Sequence, residues 1–198
     1  MAIDALSRIK GSNAESMIEQ KLNDPDRLVK VAAIVALHTM GRTNPTDVIV
    51  EGLKDPDVDV RREAAKAMAE VFDDPPADKI IPLLKDQDPD VRNYAAISLG
   101  KTKSDEAVNV LVKGMRDDKN EQVRNSAGMS LEKIGAQSVE PLNELLKSTN
   151  DMELVIRIAQ ILGSIGDKRA VSSLESAYKR EKRDMVKTEI AKALNKID

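Results

Sequence analysis

The sequence predicts an all-α protein: a right-handed α-solenoid (α-α superhelix) of about six stacked helical hairpins with a 31–32 residue period, preceded by a leading unpaired helix. Three observations carry this prediction. Apolar residues recur at helical spacing and also at a near-constant long period along the 198 residues. Trp is absent, Phe occurs once (Phe72) and Tyr twice (Tyr94, Tyr178), so the core must be built from Ala, Val, Leu, Ile and Met, which suits helix-on-helix packing. Turns bearing Asp and Pro punctuate the pattern at the same interval.

Taken in order, Ile3, Leu6 and Ile9 match the second helix of a hairpin, helix B, so residues 1–11 read as a half repeat. Full repeats follow at about 12–42, 43–74, 75–104, 105–136, 137–167 and 168–198, together one domain over 1–198. Each first helix, A, has a seam of two apolar residues four apart: Ile18/Leu22, Ile49/Leu53, Ile80/Leu84, Leu111/Met115, Leu142/Leu146 and Leu174/Tyr178. Each helix B opens on an apolar anchor, in turn Val29, Val60, Val91, Val123, Leu154 and Val186, spaced 31, 31, 32, 31 and 32. Eight residues on lie Leu37, Met68, Leu99, Leu131, Leu162 and Leu194, and between them small residues such as Ala64/Ala65 and Ala127/Gly128 allow close helix approach. Asp26, Asp57, Asp88, Asn120 and Asp151, three residues before the anchors, are the expected N-caps of helix B, and Gly41, Gly135 and Gly166 the expected C-caps.

The stretches DPDVDVRREAAKAM (55–68), DPDVRNYAAISLG (88–100) and ILGSIGDKRAVSSL (161–174) resemble the HEAT repeat, in the short HEAT-like form named after phycobilisome (PBS) lyases. The resemblance spans nearly the whole chain. It departs from the family in its period, shorter than the roughly 40–47 residues of larger HEAT units, and in Val155, which stands where the other repeats have a cation. A 31-residue hairpin cannot bury its apolar stripe alone, so neighbours must stack. The resemblance implies that B helices line a concave binding face, and that the residue after each anchor joins an Asp of a neighbouring repeat in a structural ladder: Asp57, Arg61, Asp88, Arg92 and Arg124. The alternative reading of those cations is an electrostatic track for phosphates or acidic peptides.

Composition excludes several function classes. With no cysteine there is no disulfide, thiolate metal site or cysteine nucleophile, and a lone His38 cannot serve a site needing two histidines. No cofactor, metal site or catalytic set is expected; phosphate loops and nucleophile elbows are missing, and the His-Glu pairs of HEAT-type di-iron hydroxylases do not occur. The balance of 31 basic and 34 acidic residues argues against a nucleic-acid partner. Neither a signal-like stretch nor a run of roughly 20 apolar residues is present, so no membrane partner and a cytoplasmic location are expected.

The fold leaves open the helix-B positions that point away from the core. In the middle repeats these are Tyr94, Ile97 and Met129, flanked by Asn93, Asn125, Arg62 and Arg157, the composition of a small apolar binding centre with a polar rim. The competing reading buries some of them against neighbouring helices. The acidic loop FDDPPADK (72–79) is either a stiff connection or a contact, and the basic cluster KREKRD (179–184) either a solvated face or a site of self-association with an acidic first half. The expected function is a non-catalytic scaffold binding another protein or peptide on the helix-B face. The alternatives are a subunit of a bilin (phycobilin) lyase, implied by the resemblance, and nucleic-acid binding through Arg61, Arg92 and Arg124.

Overall fold

The computed structural model describes residues 12–41, 46–102 and 104–197; the half repeat expected over 1–11 lies outside them. The described residues form helices joined by turns, without a strand, and fall into two compact units divided between Ser98 and Leu99. Each unit holds three helical hairpins.

In the first unit, α1 (Ser12–Glu19) pairs with α2 (Arg27–Thr39), α3 (Thr46–Gly52) with α4 (Val58–Val71), and α5 (Ala77–Ile80) with α6 (Pro89–Leu99). The A helices here are short and finish in tighter 3-10 turns, at Gln20–Asn23 after α1 and at Ile81–Lys85 after α5. The second of these moves the apolar seam. Pro82 offers no N–H to an α-helical bond and the 3-10 step brings residues three apart into line, so Leu83 is buried and Leu84 only half-buried. In α2 the inward residue is Val31 rather than Val29, because Val31 faces Gly52 of α3, where no side chain competes for the space. Helix B packs on helix B, α2 against α4, around buried Ala33, Ala64, Ala65 and Met68.

In the second unit, α7 (Asp105–Asp117) pairs with α8 (Glu121–Ile134), α9 (Val139–Ser148) with α10 (Met152–Ile165), and α11 (Val171–Arg180) with α12 (Asp184–Ile197). Helix α10 is the centre, packed on α8 on one side and α12 on the other, while α9 packs on α11 in the outer row. Leu111, Leu131, Leu142, Leu146, Ile158, Leu162 and Ile190 are fully buried between the rows. The α10–α12 approach depends on Gly163: a Cβ there would lie 2.7 Å from the Ala193 Cα. At the end of the series the pattern loosens, with Leu194 half-buried and Tyr178 turned outward under the Lys187 ammonium, 5.3 Å from the ring centroid.

The caps form as predicted. Side chains of Asp26, Asp57, Asn120 and Asp151 accept hydrogen bonds from the first-turn N–H groups of α2, α4, α8 and α10, and Asp88 accepts from Asp90 and Val91 of α6. Gly41, Gly135 and Gly166 all have φ near +70°, a conformation that other residues adopt only under strain.

Candidate functional site

Two features repeat through both units: a polar lattice at the A–B turns and the outward strip of helix B. The lattice begins with a second acidic position, two residues before each cap. Asp24, Asp55, Asp86 and Asp118 each accept from the N–H of the capping residue, at 3.0, 2.9, 2.9 and 2.9 Å. Thr149 and Glu181 hold the same place in the last two repeats, accepting from Asp151 and Arg183. Each turn is thus tied by two consecutive side-chain loops. The doublets NDPD, KDPD and DQDPD carry the signal for it, of which the repeat pattern singles out only the second Asp as a cap.

The arginines complete the lattice, and they correct the expected ladder. Arg61, Arg92 and Arg124 each aim Nη1 at two main-chain oxygens of their own turn: Asp55 and Pro56, Asp86 and Gln87, Asp118 and Lys119. Neighbouring repeats are joined by Arg27 to Asp55 at 2.9 Å and by Arg61 to Asp86, the latter with Nε and Nη2 on the two carboxylate oxygens at 2.8 and 3.2 Å. Asp88 pairs instead with Arg62, and Asp57 accepts from the Asp59 N–H at the cap of α4. Consecutive positions on α4 divide the next turn between them: Arg61 reaches its start at Asp86 and Arg62 its cap at Asp88. Burial pushes the Asp86 carboxyl up, but the Arg61 guanidinium and the Asp88 N–H hold it below the ordinary carboxylate range. The bond to Arg62 holds Asp88 down to about 2.

Val155, buried where the other repeats carry a cation, leaves the fifth turn without its own clamp. The following repeat supplies one. Arg180 Nη2 donates to the Thr149 oxygen at 3.2 Å and Arg183 Nη2 to the Asn150 oxygen at 3.3 Å, the two carbonyls that an arginine at 155 would have taken. Arg180 also caps the oxygens of Leu146 and Lys147 at the end of α9. The basic cluster is therefore in part a structural strap, and Arg183 holds Glu181 down to about 2.

The structure sorts the expected contact residues on the outward strip. In the first unit Tyr94 is half-buried and Ile97 is 36% exposed on α6. Asn93, at 5%, is buried, which overturns its assignment to an exposed rim; on α6 buried residues run from Val91 through Ala95, Ala96, Ser98 and Leu99, leaving only a narrow arc free. Arg62 is bound into its pairs with Asp88 and Asp59 rather than poised as a free flank. In the second unit Met129 is 71% exposed, and Arg157 bridges Asn125 and Glu153. Here a groove of about 440 Å³ opens between α8 and α10, with Met129, Ile156 and Ile161 as its apolar lining and Asn125, Glu132 and Gln160 at its edges. Its depth comes from Gly128, where a Cβ would approach the Ile161 Cδ1 to 3.4 Å.

A family profile for HEAT repeats matches residues 46–132 and 118–195. The chain belongs to the HEAT repeats. This HEAT-repeat chain is similar in fold to a designed armadillo repeat protein solved in complex with a (KR)4 peptide, at TM-score 0.59 and 19% identity over 93% of this chain and 99% of that one. It is also similar to YibA of E. coli, at TM-score 0.56 and 27% identity over 98% and 74%. The CpcE–CpcF complex of phycocyanin lyase from Nostoc sp. aligns at TM-score 0.50 and 18% identity over 100% and 89%, a likeness of fold alone. No curated protein matches the chain in sequence. Among the described residues, no helix is long and apolar enough to cross a membrane.

Proposed function

We propose that this HEAT-repeat protein is a non-catalytic interaction scaffold that takes a peptide segment of a partner protein on its helix-B face. The observation that carries the reading is Met129. A large apolar side chain 71% exposed beside an apolar groove costs solvation in the free protein, and the repeat pattern does not require it there. The groove suits one aliphatic side chain of a ligand, with Asn125 and Gln160 placed to meet its main chain. In the first unit Tyr94 and Ile97 form an apolar patch of their own on the outward strip of α6. The likeness to a repeat protein in complex with a peptide supports this class of partner.

The test is selection of peptides from a random displayed library against the full chain, followed by binding to variants. Enriched peptides should lose affinity about tenfold or more on Met129→Gln or Ile156→Ser, as removal of a central contact does. They should keep it on Met185→Gln, which changes an exposed methionine on α12 outside the groove. Binding indifferent to the groove variants would overturn the reading.

A further inference from the structure

One rung of the polar lattice has an arginine but no acid opposite it. The step of 25 residues that leads from Arg61 to Asp86 leads from Arg124 to Thr149. Arg124 uses Nη1 on its own turn as Arg61 does, yet the Nε–Nη2 edge that in Arg61 grips a carboxylate has no hydrogen-bond partner among the described residues. Arg124 and Thr149 line a common groove of about 350 Å³ within the second unit. The other charged groups of that groove are committed: Arg116 to Asp117, Arg157 to Glu153 and Asn125, and Asp151 to the cap of α10. Asp118 accepts from the Asn120 N–H. What is left is a planar two-donor edge and the Thr149 hydroxyl, whose oxygen accepts from Asp151 while its proton is available to donate.

We infer that the Arg124–Thr149 gap is a receptor for a carboxylate side chain of an acidic partner peptide, which takes the place of the absent Asp of this repeat. The argument is charge and shape complementarity. A guanidinium edge matches a carboxylate through two parallel N–H···O bonds, and the Arg61–Asp86 pair shows this geometry at the equivalent place in the same protein. Unlike Asp86, the incoming group arrives from outside, so the rung becomes a point of recognition. Glu153 and Arg157 line both this groove and the Met129 groove, but Arg124 and Thr149 belong to this one alone, so the site does not rest on Met129.

The experiment follows the side-chain Nε–Hε resonances of the arginines by NMR in the full chain, titrated with acetylated tri-glutamate amide at constant ionic strength. Arg124 should shift saturably while Arg61, already paired, does not. Arg124→Lys keeps the charge but loses the fork, and should weaken binding about tenfold, measured by the peptide's own resonances. Thr149→Asp, which keeps the turn acceptor and fills the rung, should abolish the Arg124 response and raise the melting temperature. Met129→Gln should leave the response in place. No Arg124 shift, an equal shift at Arg61, or an unchanged response in Thr149→Asp would overturn the site; a response to inorganic phosphate without one to tri-glutamate would overturn the peptide as its occupant.

Discussion

Arg180 donates to the main-chain oxygen of Thr149, 31 residues earlier, and so closes a turn that its own repeat leaves open. The repeat that lost its cation at Val155 is repaired by the repeat after it. In a chain of stacked hairpins stability is shared between neighbours in this way, each interface carrying part of the load of the unit beside it.

The strap predicts a coupled pair of substitutions. Arg180→Ala leaves the end of α9 and the Thr149 carbonyl without their donor and should lower stability by about 1 kcal/mol. Val155→Arg alone should also destabilise, since it places a cation at a buried site whose carbonyls are already taken. Combined, the two should cost less than their sum, with a coupling of about 1 kcal/mol measured by urea denaturation of the four proteins of the cycle. Strict additivity would mean that Arg180 is not acting through the turn.

Two glycines should respond to alanine with opposite signs. At Gly163 the new Cβ would meet the Ala193 Cα at 2.7 Å and its carbonyl oxygen at 3.2 Å, so α10 and α12 must separate, at a cost of about 1–3 kcal/mol. At Gly114, in α7, the Cβ would meet only the Ala127 Cβ at 3.8 Å, an ordinary contact. Gly114→Ala should therefore stabilise, by about 0.5–1 kcal/mol, through lost freedom of the unfolded chain. Thermal melts of the two variants decide both signs.

How far the sequence discloses this structure depends on how local each feature is. Hairpins, caps and anchors are legible because each is written in residues a few positions apart and then repeated: Asp57 to Val60, Val91 to Leu99, Gly166 after α10. The burial of Asn93 is not, because periodicity shows which way a residue points and not how wide an arc its neighbours cover. The pairing of Arg61 with Asp86 in place of Asp88 turns on reach across a turn, a distance no spacing rule contains. The clamp from Arg180 and Arg183 is less visible still, since its partners are main-chain oxygens 31 to 34 residues away, which have no sequence signature.

Acid should loosen the lattice within a defined window. Arg62 holds Asp88 down to about 2, Arg169 does the same for Asp167, and Arg183 for Glu181. A carboxyl group whose pKa is lowered by folding adds stability that is complete above its unfolded value, about 4, and that is lost as pH falls through its folded value. Melting temperature should accordingly hold down to about pH 4 and fall between about 4 and 2. In carboxyl carbon-13 titrations, Arg62→Gln should move Asp88 up toward about 4 while Asp167 stays near its native value.

Stability and binding should part company along the outward strip. Asn93→Ala empties a buried polar site and should lower stability by about 1–3 kcal/mol, judged by denaturant midpoint at unchanged slope. Met129→Gln, at a position 71% exposed, should leave stability within about 0.5 kcal/mol while reducing capture of groove-binding peptides. The two positions are 36 residues apart in sequence, each on a helix B of its own unit, and periodicity alone treats both as outward. A Met129 variant as destabilised as the Asn93 variant would show that Met129 is held by the fold, and the apolar groove would then lose its claim to be a site for a partner.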